Sequence, residues 1–183
     1  MLFRSRAAGG FTADQIDRID IDMPEAAYGH GGWQAERPLA PIGAQMNIMY
    51  TVAVALLDGA VLIDQFAEDR IDRDDVWNLI GRTHTHHHKA YDALPAQDQL
   101  TTRVALTLKD GSTREKTVAH PPGTGGHLLT GADIVAKYRS LTRSLIDTGR
   151  QHAIENAVLN LEALDDISTL TALLTPVVRP ALG

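Results

Sequence analysis

No cysteine occurs among the 183 residues. Disulfides, thiol nucleophiles and thiolate metal sites are excluded together, and the redox compartment is left open. Nor is there an excess of positive charge. Lys and Arg number 17 against 23 Asp and Glu, a net charge of −6, so a strongly basic face is not indicated and nucleic acid is not expected as a partner. Long apolar runs are missing. The longest, Met49 to Leu57, carries Tyr50 and Thr51 and stops at Asp58-Gly59, well short of the ~20 residues that cross a bilayer. The opening "MLFRSRAAGG" has no apolar stretch of the secretory kind. A soluble, cytoplasmic chain with no membrane partner is the expectation. Internal repeats and low-complexity tracts are also lacking.

What is present is globular. Hydrophobic residues make up 44% and charged residues 22%, enough for a packed core, and the length suits one large domain or two small ones. "RSRAAGG" reads as the end of a preceding helix with a glycine stop, residues 1–10. "FTADQID" supplies an N-cap and first turn at Thr12. In "DRIDIDMP", Ile19, Ile21 and Met23 alternate with Asp20 and Asp22 as in a half-buried strand that Pro24 ends. Glu25 to Pro41 is rich in glycine and proline and reads as a long loop, of the kind that carries function. A helix is expected from about Ile42 to Leu57, a short one in "AVLIDQF", and another in "DRDDVWNLI" with acids in its first turn. "RTHTHHHKA" reads as a strand. "DQLTTRVALTLKDGSTREKTVAH" reads as a hairpin that turns at Asp110-Gly111 and runs to His120. After the loop "PPGTGGHLLTG" the remainder is helical. "GADIVAKYRSLTRSLIDTG" places Ile134, Val135, Tyr138, Leu141, Leu145 and Ile146 on one face of a single helix, and "HAIENAVLNLEALDD" and "ISTLTALLTP" follow. Segregated strands and helices predict the α+β class: a small antiparallel sheet packed by helices over 11–130, then C-terminal helices over 131–183.

Residues able to do chemistry are few. Tyr50 lies in the apolar helix, either as a core tyrosine with its hydroxyl satisfied inside or as a tyrosine shown to a substrate. Asn47, one turn earlier, is either a cap or, with Gln45, a substrate contact. His30 in "YGHGGW" and His127 in "GTGGH" are loop histidines, facing solvent or a cleft. On a strand His84, His86 and His88 would share one face, with His87 opposite, a pattern that can chelate zinc. No cysteine or H-E-x-x-H run accompanies them. The plainer reading is a solvent-facing strand, and no metal is expected. "GTGGH" lacks the G-K-[ST] ending of a phosphate loop, and Asp69, Asp72, Asp74 and Asp75 miss the calcium-loop spacing. They read as a lid loop and a solvated helix start.

The stretch "PIGAQMNIMYTVAVALLDG" resembles the signature of the MmgE/PrpD family, in which an A-x-F-S-x-x-Y run enters an apolar helix ending at glycine. Ala44 to Tyr50 hold that place, with Met46 and Asn47 where the family has Phe and Ser. Ala53, Ala55, Leu56, Leu57 and Gly59 continue it. Three further pieces follow the family's order. "FTADQIDRIDIDMP" is similar to its opening lid strand, "LTLKDGSTREKTVAHPPG" to its hairpin and loop, and "LTGADIVAKYRSL" to its return helix.

The resemblance implies a lid domain whose C-terminal helices return to an all-helical domain. It implies a lyase or isomerase, of the 2-methylcitrate dehydratase or cis-aconitate decarboxylase kind. Such an enzyme removes water or carbon dioxide from a small polycarboxylate without an iron–sulfur cluster or flavin, so no cofactor is expected. The chemistry needs a base for a proton, an acid for a leaving group and donors for carboxylates. Tyr50 is the residue the resemblance marks as catalytic. Gln45, Asn47 and the loop histidines His30 and His127 complete the substrate-binding candidates. Family members are much longer, so the chain is expected to be a fragment or one half of a split protein, inactive alone. Its expected partners are a helical N-terminal domain or separate subunit, and further copies of itself in a homo-oligomer. The rival is a non-catalytic assembly module that pairs with a separate helical chain through exposed apolar helix faces.

Overall fold

A computed structural model describes residues 10–124, 127–175 and 177–178. The helix end expected over residues 1–10 lies outside these save for Gly10, as does the middle of "GTGGH". The chain divides into two compact units, Met1–Leu128 and Leu129–Gly183. No helix among the described residues is long and apolar enough to cross a membrane.

The first unit is built on a four-stranded sheet in the order β2-β1-β3-β4. Strand β1 (Ile16–Met23) buries Ile19, Ile21 and Met23 and turns Asp20 and Asp22 outward, the alternation that a half-covered strand requires. It pairs antiparallel with β3 (Thr102–Leu108), which pairs antiparallel with β4 (Thr113–Val118). Their hairpin turns at Gly111, whose φ of 82° is in the left-handed region, with the Ser112 amide donating to Asp110 Oδ1 at 2.8 Å. Strand β2 (Thr83–His87) joins the other side of β1 in parallel, so the sheet is mixed. A parallel pair needs a long crossover. Residues 24–82 supply it, and this is where the unit's larger helices lie.

Those helices are α1 (Glu25–Gly31), α2 (Pro41–Met46), α3 (Ile48–Asp58), α4 (Glu68–Ile71) and α5 (Asp74–Ile80); a single turn, α6 (Lys89–Asp92), follows β2. α1 occupies part of the segment read as loop, because Pro24 and Glu25 form a sound helix start even though glycines end it. The helix expected from Ile42 to Leu57 is two helices. Asn47, at φ −105° and ψ 121°, breaks the run, and its side chain accepts from the Tyr50 amide to cap α3. Gly59, at φ 72°, ends α3 in the left-handed conformation that glycine tolerates. "AVLIDQF" forms a 3-10 turn at Ile63–Phe66 rather than an α-helix.

α3 packs on α5 and β2. Ile19, Ile21, Val104 and Leu106 of the sheet join Val54, Val76 and Ile80 in one buried cluster. The opposite sheet face carries charges in pairs: Arg18 with Asp20, His86 with Asp20, and Arg103 with Asp22 and Glu115.

The second unit holds α7 (Gly131–Thr142), α8 (Thr148–Leu159) and α9 (Ser168–Leu174). The single helix expected over "GADIVAKYRSLTRSLIDTG" ends at Thr142, because Asp147 caps a new helix by accepting from the Arg150 amide at 2.9 Å. Buried Gln151 ties α8 to α7, donating to Arg139 O at 3.0 Å and Thr142 Oγ1 at 2.6 Å. Arg139 pairs with Glu155. No α7 residue is buried, and Ile134 is 59% and Leu159 62% exposed.

Candidate functional site

α1, α2 and the start of α3 meet the ends of β1 and β3 around a cavity of about 190 Å3. Met23, Ala27, Gly31, Met46 and Ile48 form its apolar part; His30, Gln45, Asn47, Thr51 and Thr102 form the rest. The fold thus brings together three of the residues singled out from sequence, His30, Gln45 and Asn47. Gly31 makes this possible. A Cβ there would lie 2.7 Å from the Met46 carbonyl oxygen, so only glycine lets α1 approach α2 this closely.

The polar side chains differ in what they have left to offer. Asn47 is fully buried and already engaged at both ends. Its Oδ1 accepts from the Tyr50 amide at 3.0 Å and its Nδ2 donates to the Trp33 carbonyl at 2.7 Å. Thr51 and Thr102 donate their hydroxyls to the carbonyls of Ile48 and Leu100 but keep acceptor capacity. His30 and Gln45 are exposed, and their side chains make no hydrogen bond to another described residue. Among the described residues of the lining, His30 is also the single ionisable side chain. An imidazole and an amide beside an apolar wall can grip one carboxylate and shelter the carbon chain behind it.

Tyr50 lies behind the cavity, in the core. It is 0% exposed, its hydroxyl donates to the Gln65 carbonyl, and its ring sits 5.8 Å from that of Phe66. Burial pushes the hydroxyl pKa up to about 12; Arg70 works against this, and Asp58 and Asp75 add to it. Gln65 in turn donates to Asp58, which Arg70 clasps through two nitrogens while also reaching Asp75. These bonds pin the segment that follows α3. His127 is not among the cavity residues; its amide donates to Thr124 O at 2.9 Å.

The strand histidines do not gather. β2 stops at His87, so His88 leaves the face of His84 and His86, precedes α6 and stacks on Tyr91 at 4.2 Å. His86 meets Asp20 at 2.8 Å, and His87 lies between Glu25 and Asp92 at 2.9 and 2.5 Å. Among the described residues no group of three or more His, Cys, Asp or Glu is placed to hold a metal ion. Thr51, Thr102 and Met23 were not singled out from sequence. Nothing in a threonine at a strand start or inside a helix announces a cavity, although the glycines of "YGHGGW" mark where α1 approaches α2.

Residues 1–163 match the MmgE/PrpD C-terminal domain. The chain belongs to the MmgE/PrpD family. Among curated proteins it is 40% identical, over 90% of its length, to the cis-aconitate decarboxylase-like protein oryM of Aspergillus oryzae, and 34% identical over the same share to a cis-aconitate decarboxylase of Aspergillus terreus. A human cis-aconitate decarboxylase is 28% identical over 88% of the chain. In each case the match covers 32–34% of the relative, so this MmgE/PrpD chain spans about a third of the length of the curated relatives it matches.

Proposed function

We propose that the chain is the lid part of a lyase that acts on a small polycarboxylate, with the His30/Gln45 cavity as its contribution to the substrate site. The observation that carries the reading is the pair of unengaged polar side chains, one of them ionisable, over an apolar wall. The cavity is smaller than the ~300 Å3 at which pockets for drug-sized ligands begin, which suits one end of a short acid. Lyase chemistry requires at least an acid and a base, and the described residues of the lining include one ionisable group. The remaining groups come, on this reading, from a helical domain or subunit that packs on the exposed apolar residues of the second unit. Asn47 and Tyr50 act by support: Asn47 fixes the start of α3, and Tyr50 fixes the segment beyond its end. The names of the relatives favour decarboxylation of cis-aconitate over dehydration.

A chimera tests this. The chain replaces the corresponding third of the Aspergillus terreus enzyme, and release of carbon dioxide from cis-aconitate is measured. Activity that falls at least tenfold with His30→Ala is the expected result. A folded, soluble chimera that turns over neither cis-aconitate nor 2-methylcitrate refutes the proposal. The rival assembly module predicts tight pairing with a helical partner and no effect of His30→Ala on any reaction.

A further inference from the structure

A polycarboxylate needs positive charge, and the described residues of the cavity lining include no Lys or Arg. Five of the ten described Lys and Arg side chains of the first unit are taken up by acids. Arg18, Arg37, Arg70, Arg73 and Arg103 each pair with an acid. The Lys116 side chain makes no ion pair or hydrogen bond with any other described residue. It sits on β4, an edge strand whose residues are exposed from Thr113 to Thr117.

The register decides where Lys116 points. Lys116 pairs with Val104, and Arg114 with Leu106. Directly paired residues project to the same side of a sheet. Val104 and Leu106 are fully buried in the helix-covered core, so both cations stand on the cavity's side of the sheet. Inward cations on an edge strand also discourage pairing with another sheet, a role that suits both equally. Position separates them. The cavity residue Thr102 pairs with Val118, which makes Lys116 its diagonal neighbour, at ~7–8 Å and within reach of a long side chain. Arg114 is two residues farther along the strand.

We infer that Lys116 binds a carboxylate at the β-sheet rim of the His30/Gln45 cavity. The inference rests on the polycarboxylate reading above and adds to it a residue from outside the cavity wall. Lys116 holds the distal carboxylate of the acid while His30 and Gln45 hold the proximal one.

The test is a titration of the 15N-labelled full chain with cis-aconitate as tricarboxylate probe and acetate as monocarboxylate control, followed at the amides of Gly31 and Gln45. Lys116→Gln is expected to weaken cis-aconitate binding about fivefold, the upper range for an exposed charge pair, and to leave acetate unaffected. Lys116→Arg should retain most of the affinity. Lys109→Gln, at the other end of the hairpin, should leave it unchanged. Equal affinity of Lys116→Gln and the wild type, with an unaltered spectrum elsewhere, overturns the inference and leaves the polycarboxylate reading standing. Absence of any cis-aconitate shift in the wild type overturns both.

Discussion

Replacing Asn47 with alanine should destabilise the first unit by about 2–3 kcal/mol, because one fully buried side chain performs two tasks. Its Oδ1 accepts from the Tyr50 amide to cap α3, and its Nδ2 donates to the Trp33 carbonyl across fourteen residues. Loss of a side-chain cap costs ~1 kcal/mol, within a range of about 0.5–2. The Trp33 carbonyl, in a part-buried bond, loses its donor, at about 1–3 kcal/mol for a buried group and nearer the lower figure here. Asn47→Ser separates the two. Serine still caps but does not replace the amide donor, so it should recover about 1 kcal/mol relative to alanine. Asn47→Asp keeps the acceptor but turns a carboxylate oxygen toward the Trp33 carbonyl, and should be no better than alanine. Both tryptophans, Trp33 and Trp77, belong to the first unit. Urea unfolding followed by tryptophan fluorescence therefore reports on that unit alone. A cost below about 1 kcal/mol for alanine, or no gap between alanine and serine, would show that the two bonds do not carry the helix break.

Gly31→Ala should cost about 1–3 kcal/mol in the same assay and abolish cis-aconitate shifts at Gln45, since the new Cβ meets the Met46 carbonyl oxygen at 2.7 Å; wild-type stability would refute the close approach of α1 to α2. Tyr50→Phe should cost about 1 kcal/mol at neutral pH through the lost bond to the Gln65 carbonyl. It should also alter the alkaline limb. Burial raises the Tyr50 pKa to about 12, above the ~10 of an unfolded tyrosine. The fold therefore holds the proton more tightly, and its contribution is complete below pH ~10 and lost as pH rises toward about 12. Stability curves for wild type and Tyr50→Phe that stay parallel from pH 9 to 12 would contradict this.

The parts of the fold that depend on neighbouring residues were legible in the sequence. Ile19, Ile21 and Met23 alternating with aspartates became β1, and Asp110-Gly111 became the hairpin turn. The break at Asn47 was harder to read. Asparagine tolerates a helix and caps one, and the Trp33 carbonyl that favours the cap lies far away in sequence. The parallel pairing of β2 was likewise hidden, since a strand's own pattern does not name its neighbour. Gln45, Asn47 and His30 were picked out as separate candidates, and the fold places them on one cavity. The zinc reading of the histidines depended on a strand reaching His88, and β2 ends one residue earlier.

By itself, the sequence determined the absence of thiol chemistry, the α+β pattern and the motifs of the MmgE/PrpD family, because composition and short-range periodicity are local properties. Only the tertiary structure decided how those residues divide the work. It turned Tyr50 inward onto the Gln65 carbonyl, used up both ends of Asn47 inside the core, and left His30 and Gln45 open beside Thr102. The reason is physical: whether a polar side chain can serve a ligand depends on whether folding has already given it a partner, and those partners come from distant parts of the chain.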